Sequence, residues 1–244
     1  MPEKQACLII GAGDDTGAAI ARAFAVEGMV VCLVRRPRHA DVLEALAKSI
    51  RDQGGAAMAF PADARDEDEM TALIDRIETD VAPIEVAVFN IGANVRFSVT
   101  ETTARVYRKV WEMACFAGFL MGREVAARML PRARGTIIFT GATASFRGGA
   151  GYSAFAGAKH ALRALAQSMA RELGPKNIHV AHTIIDGAID SNFIRENVPN
   201  VDELRANDAV LDPDAIAQNY VMLHKQTRTA WTHELDMRPW SEKW

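Results

Sequence analysis

The stretch Ala6-Cys7-Leu8-Ile9-Ile10-Gly11-Ala12-Gly13-Asp14-Asp15-Thr16-Gly17-Ala18-Ala19-Ile20 decides the fold class. Its first five residues form an unbroken apolar run, the pattern of a strand covered on both faces. The run breaks into a glycine-rich turn, and helical spacing (Ile20, Phe24) follows at once and stops at Gly28. A strand that passes through glycines into a helix brings backbone N–H groups and the positive end of a helix dipole to one point, free of β-carbons. A dinucleotide pyrophosphate needs that arrangement. Glycines alone are a weak signal, so the flanking strand and helix carry the reading.

The alternation continues along the chain. Val30–Val34, Ala56–Phe60, Ile84–Phe89, Thr136–Thr140 and Ile178–Ile185 read as strands, and Ala230–Met237 as a last, alternating one. Between them lie helical patterns: Leu43, Leu46 and Ile50 before Gly54-Gly55, then Met70, Leu73, Ile74 and Ile77. Longer ones span about Ala104–Leu130, stopped by Pro131, and Ser153–Leu173, stopped by Gly174-Pro175. A final helix is expected over Pro213–Lys225, with Ile216, Tyr220 and Leu223 on one face. This order predicts an α/β fold, a Rossmann-type doubly wound parallel sheet of about seven strands flanked by helices. The 244 residues suit one domain over 1–244, with no repeat or linker.

Composition excludes several classes. The formal net charge of −3 gives no electrostatic reason to expect nucleic acid or an anionic membrane as partner. No apolar run reaches the roughly 20 residues that span a bilayer, and the start reads as a first strand, not a signal peptide. Cys7, Cys32 and Cys115 are widely spaced, with no CxxC pair, which predicts a reduced cytoplasmic protein. The six histidines show no ligand spacing, and His179 and His182 fall on opposite faces of a strand, so no metal site is expected.

With these residues in view, the chain resembles the short-chain dehydrogenase/reductase family, of the type that carries T-G-x-x-x-G-x-G. Ile10-Gly11-Ala12-Gly13-Asp14-Asp15-Thr16-Gly17 fits it with two departures, Ile10 for threonine and Asp15 for the middle glycine. Asp15 suits a helix N-cap, yet its carboxylate repels a pyrophosphate by about 1 kcal/mol if partly screened; Gly13 restores room. Pro61-Ala62-Asp63-Ala64 is similar to the family segment whose aspartate touches adenine. Phe89-Asn90-Ile91-Gly92 is similar to N-N-A-G, and Asp186-Gly187-Ala188-Ile189-Asp190-Ser191 to the P-G-x-V-x-T that meets the nicotinamide carboxamide, with Asp186 at the proline. The resemblance thus implies cofactor contacts at Gly11, Gly13, Asp15, Thr16, Gly17, Asp63, Ala64, Asn90, Ile91, Gly92, Ile189 and Ser191.

An acidic residue ending strand two would accept from the ribose 2′-hydroxyl of NAD. Here Val34 is followed by Arg35, Arg36 and Arg38, so NADP(H) is favoured over NAD, with Arg35 and Arg36 on the 2′-phosphate. A merely solvated basic turn would look the same. The family's catalytic residues are a tyrosine, a lysine four residues later, a serine and an asparagine. The resemblance places Lys159 at the lysine but Phe155 at the tyrosine, Ala142 at the serine and Cys115 at the asparagine. Lys159 would hold the nicotinamide ribose. Tyr152 and Thr143, or Thr140, are the hydroxyls near enough to substitute, though each is as readily a packed residue, and Cys115 a buried filler. His160, next to Lys159, points about 100° away on the helix.

The segment Asn192–Leu211 falls where the family closes over substrate, which suggests a lid. Trp240 and Trp244 near the end favour subunit contact, and the resemblance implies a homodimer or homotetramer, with Trp111, Phe116 and Phe119 either at that face or in the core. Two functions are compatible with these residues. One is an NADP(H)-dependent oxidoreductase acting on a small carbonyl or alcohol substrate through a non-standard acid. The other is an NADP(H)-binding protein without ordinary redox activity: a non-redox enzyme, or a regulatory or scaffold subunit.

Overall fold

The computed structural model describes residues 4–13 and 15–242. Seven strands, β1 (Ala6–Ile10), β2 (Val30–Arg35), β3 (Ala56–Pro61), β4 (Ile84–Phe89), β5 (Thr136–Ala142), β6 (His179–Ile185) and β7 (Glu234–Met237), form one sheet in the order β3-β2-β1-β4-β5-β6-β7. Every pairing is parallel. The chain winds outward from β1 to β3, then crosses back to place β4 on the other side of β1. Connections leave in opposite directions there, opening a crevice at the C-terminal strand ends.

Strand alternation feeds two cores. Ala6, Leu8 and Ile10 of β1 join Ala87 and Phe89 of β4 on one face. Cys7 and Ile9 join Val86 and Val88 on the other. The first face is covered by α3 (Glu67–Asp80), α5 (Ala117–Met129) and α6 (Ser153–Leu173), the second by α1 (Thr16–Val26), α2 (Ala40–Asp52) and α9 (Pro213–Lys225). Strand β1 is therefore apolar throughout, because neither face meets water, while β4, β5 and β6 also bury a few polar residues, Glu85, Thr140 and His182 among them.

Several expected elements differ in their bounds or regularity. The segment 104–130 is helical without a break, as expected, but not α-helical throughout: a π-turn at Glu112–Phe116 lies between α4 (Ala104–Trp111) and α5, and the stretch ends in a 3-10 turn around Pro131. Periodicity does not reveal the extra residue of a π-turn, which leaves apolar spacing nearly intact. The last strand begins at Glu234, not at residue 230, because Arg228–Ala230 form a 3-10 turn. Strands β2, β3 and β5 run one to two residues further than their apolar runs, and the added Arg35 and Ala142 line the crevice. The expected lid segment folds as two short helices, α7 (Asn192–Asn197) and α8 (Val201–Ala206), followed by a bridge between Ile189 and Leu211. No helix among the described residues is long and apolar enough to cross a membrane. Among the described residues, no group of three or more His, Cys, Asp or Glu could hold a metal ion.

Candidate active site

A cavity of about 710 Å³ occupies the crevice at the ends of β1, β4, β5 and β6. A smaller one of about 190 Å³ adjoins it beyond β2, and Arg35, Asn90, Ile91 and Gly92 line both. Gly13, Asp15, Thr16, Gly17, Thr143, Tyr152, Lys159, Ile189 and Ser191 line the larger cavity. Gly11, Arg36, Asp63 and Ala64 line the smaller one. The expected cofactor contacts, together with Lys159, Tyr152 and Thr143, thus line two adjoining cavities, whereas Cys115, Arg38 and His160 line neither.

The glycine turn explains itself sterically. Gly11 has a φ of +94°, and a β-carbon there would lie 2.6 Å from the Asn90 carbonyl oxygen. A β-carbon at Gly17 would lie 2.5 Å from the Gly11 carbonyl oxygen, so α1 can meet the turn only through a glycine. At Gly13 a β-carbon would meet nothing within 4 Å, which leaves the backbone open to the cavity. The Asn90 side-chain amide donates to the Gly11 carbonyl at 3.2 Å and ties β4 to the turn. Asp14 lies outside the described residues.

Asp15 departs from its expected role. It occupies the N-cap position of α1 but its side chain makes no capping bond. Its carboxylate instead accepts from the Asn192 N–H at 3.2 Å, joining the glycine turn to the first residue of α7. Local sequence spacing could not show a partner 177 residues away. Ser191 is likewise occupied: its hydroxyl caps α7 by accepting from the Ile194 N–H at 3.3 Å.

At the far end of the crevice, positive charge is crowded. Burial lowers the pKa of Arg36, and the neighbouring Arg38 and Arg65 guanidiniums lower it further, while Asp63 opposes them. Asp63 is itself gripped by Arg65 through two contacts of 2.9 and 2.5 Å, which hold its carboxyl below the usual range against the cost of burial. Arg65 was not foreseen, because it lies 30 residues beyond the basic turn and only the β2–β3 pairing brings it there.

The opposite end holds Lys159, which is only 2% exposed. Its ammonium donates to the Ile91 carbonyl at 2.9 Å and the Thr140 carbonyl at 2.8 Å. Burial pushes its pKa down to about 7, with Cys115 pulling weakly the other way. The Phe155 ring centre stands 5.9 Å from Lys159 Nζ, one helical turn earlier on α6. Cys115, on the π-turn, is packed with Phe155, Ala114 and Ala158, and burial raises its thiol pKa.

Hydroxyls near Lys159 are mostly committed elsewhere. Thr140 gives the site its carbonyl, since its hydroxyl is shared with the buried Tyr220 hydroxyl at 2.8 Å. Ser145 is fully buried and accepts from the Ala142 N–H at 3.1 Å. His160 turns back to the Ala156 carbonyl and is exposed. Tyr152 is the residue just before α6, and its ring lies under the Arg96 guanidinium at 5.8 Å. Thr143 lines the cavity and donates to Asp186, a carboxylate 1% exposed. Asp186, at the family's proline position, also contacts Arg147 and Arg238 at 3.4 Å each. The sequence signal for this cluster is an acidic residue directly after the buried strand β6.

Behind β5, the fully buried His182 shares Glu234 with Arg163 of α6, at 3.1 and 2.6 Å. His179 faces the other way and stacks on Trp231 with centroids 4.8 Å apart.

A short chain dehydrogenase family model matches residues 5–202. A crystal structure of a short-chain dehydrogenase from Rhodopseudomonas palustris is 48% identical, with a TM-score of 0.84 over 98% of this chain and all of that one. A zerumbone synthase from Zingiber zerumbet is 28% identical over 73% of this chain, and the chain spans 66% of that enzyme, just under two thirds of its length. The actinorhodin polyketide ketoreductase with NADPH shares the fold, with a TM-score of 0.86 over 97% of this chain and 96% of that one at 21% identity. With the parallel 3-2-1-4-5-6-7 sheet and a glycine turn at its switch point, these matches show that the chain belongs to the short chain dehydrogenase family.

Proposed function

We propose that the protein is an NADP(H)-dependent oxidoreductase acting on a small carbonyl or alcohol substrate, with its proton carried by a group other than residue 155. One observation carries this reading: a single crevice runs from a charge-crowded arginine turn, past an open glycine cradle, to a buried lysine. The cradle fits a dinucleotide because the backbone at Gly13 is open and the N-terminus of α1 faces the cavity. Arg35 and Arg36 would take the 2′-phosphate, Lys159 the nicotinamide ribose, and Ile189 and Ser191 would flank the carboxamide. When bound, the dinucleotide supplies or accepts the hydride.

The chain's own part is orientation and proton handling. Phe155 has no proton to give, and Ala142 has no hydroxyl to steady a substrate oxygen. Of the hydroxyl residues lining the cavity, Tyr152 and Thr143 are the ones we assign to proton transfer, and Thr143 donates to Asp186. The loss of a hydroxyl at both 155 and 142 favours the second reading, a cofactor-binding protein without ordinary redox activity.

Calorimetric titration tests the cofactor assignment. NADP⁺ is expected to bind at least tenfold tighter than NAD⁺, a difference of about 1.4 kcal/mol that two charge-assisted contacts can supply. Arg36→Gln is expected to erase the preference. Equal affinities, or tighter NAD⁺, remove the assignment, and binding of neither removes both readings.

A further inference from the structure

Resting on the oxidoreductase reading, we propose that the substrate carries a carboxylate or comparable acid group, held by Arg147 with Arg96 at the rim. Arg147 lines the cavity in the segment that leads from β5 to α6. Its partner Asp186 is 1% exposed while Arg147 is 43% exposed at the side chain. From inside the cavity the positive member of the pair can be reached and the negative member cannot.

The guanidinium is also held in place. Its centre lies 5.3 Å from the Phe146 ring, and one of its nitrogens contacts Asp186 at 3.4 Å. An arginine has five N–H donors, so donors remain for a second, planar acceptor such as a carboxylate. Fixing the side chain beforehand removes part of the entropy lost when a ligand is gripped. Gly148 and Gly149 follow and narrow the cavity little: a β-carbon at Gly148 would meet nothing within 4 Å. Arg238 contacts both Asp186 and Asp236, while Arg147 is the partner of Asp186 that lines the cavity.

Arg96 leans on the same segment. It packs over the Tyr152 ring, and a β-carbon at Gly151 would lie 3.0 Å from its Cγ. It is exposed, and no carboxylate ion pair is formed by it among the described residues. Arg147 thus lines the cavity together with Thr143, Tyr152 and Phe155, and the Arg96 guanidinium packs on the ring of Tyr152.

The test uses two ketones of one shape, 4-acetylbenzoate and its uncharged amide, 4-acetylbenzamide. Their binding is measured by calorimetry on the full chain, with and without saturating NADP⁺. Wild type is expected to bind the acid at least tenfold tighter, with an affinity that weakens as NaCl rises while that of the amide does not. Arg147→Gln is expected to bring the two within twofold, and Arg147→Lys to keep part of the preference. A general structural role for Arg147 would weaken both ketones together and leave their ratio intact. Equal binding of acid and amide by wild type, binding of neither, or an Arg147→Gln protein that keeps the preference overturns the proposal. An acid preference in a protein that binds no dinucleotide would sink the oxidoreductase reading alone.

Discussion

On the proposed oxidoreductase reading, the chemistry turns on Phe155 and Ala142, and both can be changed by adding a single oxygen. General acid–base catalysis by a placed side chain is typically worth about 10²–10⁴ in rate. With a phenyl ring 5.9 Å from Lys159 Nζ, wild type is expected to reduce activated ketones with NADPH at least a hundredfold slower than a family member that has the tyrosine. The Phe155→Tyr change puts a phenol on the same turn of α6, beside an amine whose pKa burial has brought down to about 7. It should raise the rate measurably. Adding Ala142→Ser should raise it more than either change alone, because both groups act on one substrate oxygen. NADPH consumption across a ketone panel measures this for wild type, both singles and the double. Wild-type turnover that disappears in Tyr152→Phe would make Tyr152 the acid. An inactive wild type with no gain in the double favours the non-redox reading.

At the scale of elements, β6, β7 and α6 are bolted together behind the site by the His182–Glu234–Arg163 cluster. Burial holds the His182 imidazole neutral, its pKa lowered to about 4, with Glu234 opposing and Lys159 and Arg163 assisting. The unfolded chain keeps a histidine near 6.5. Between those values the unfolded state binds more protons, so stability is full above about pH 6.5 and is lost as pH falls towards 4. A shift of this size corresponds to about 3 kcal/mol. Thermal melts should therefore decline across that window in wild type, and His182→Gln should flatten the decline. Lys159, with its depressed pKa, makes stability rise again from about pH 7 towards 10.5, and that limb should remain in the variant. An unchanged acid limb would show that His182 does not control it. The same elements show what sequence can and cannot display. The apolar runs of β1 and β4 and the 21 residues of α6 are legible because burial on both faces, or on one helical stripe, repeats along the chain. The Asp15–Asn192 bond, the Arg65 grip on Asp63 and the Asp186 cluster are not, because they depend on which strand ends become neighbours. The π-turn at 112–116 hides for another reason: it inserts a residue without disturbing the apolar rhythm.

For the molecule as a whole, the outer face of α4 and α5 raises the question of assembly. Trp111, Phe116 and Phe119 form a continuous stack, with centroids 5.9 and 6.1 Å apart, and Arg123 caps it 5.5 Å from Phe119. Trp111 is 41% and Phe119 38% exposed, so these rings are neither core nor fully solvated. In the tail, Trp240 is 80% exposed and its indole N–H donates to the Asn207 carbonyl, while Trp244 lies outside the described residues. A contiguous aromatic face of this kind suits a two-fold contact, in which the same patch serves both subunits. Burying about 100 Å² of ring surface per subunit at about 25 cal/mol/Å² would contribute about 2.5 kcal/mol from each side. Sedimentation at micromolar concentration should accordingly show a homodimer or homotetramer. Trp111→Glu combined with Phe119→Glu should weaken association at least tenfold, while Val26→Glu, at an 86% exposed position on α1, should not. The π-turn links this face to the site, since it carries Phe116 outward into the stack and Cys115 inward against Phe155. Loss of assembly should therefore also alter the packing around Lys159, seen as a change in dinucleotide affinity in the double variant. A wild type that sediments as a monomer would assign the stack to another partner or to none, and would leave the Phe155 wall to be held by α4 and α6 alone.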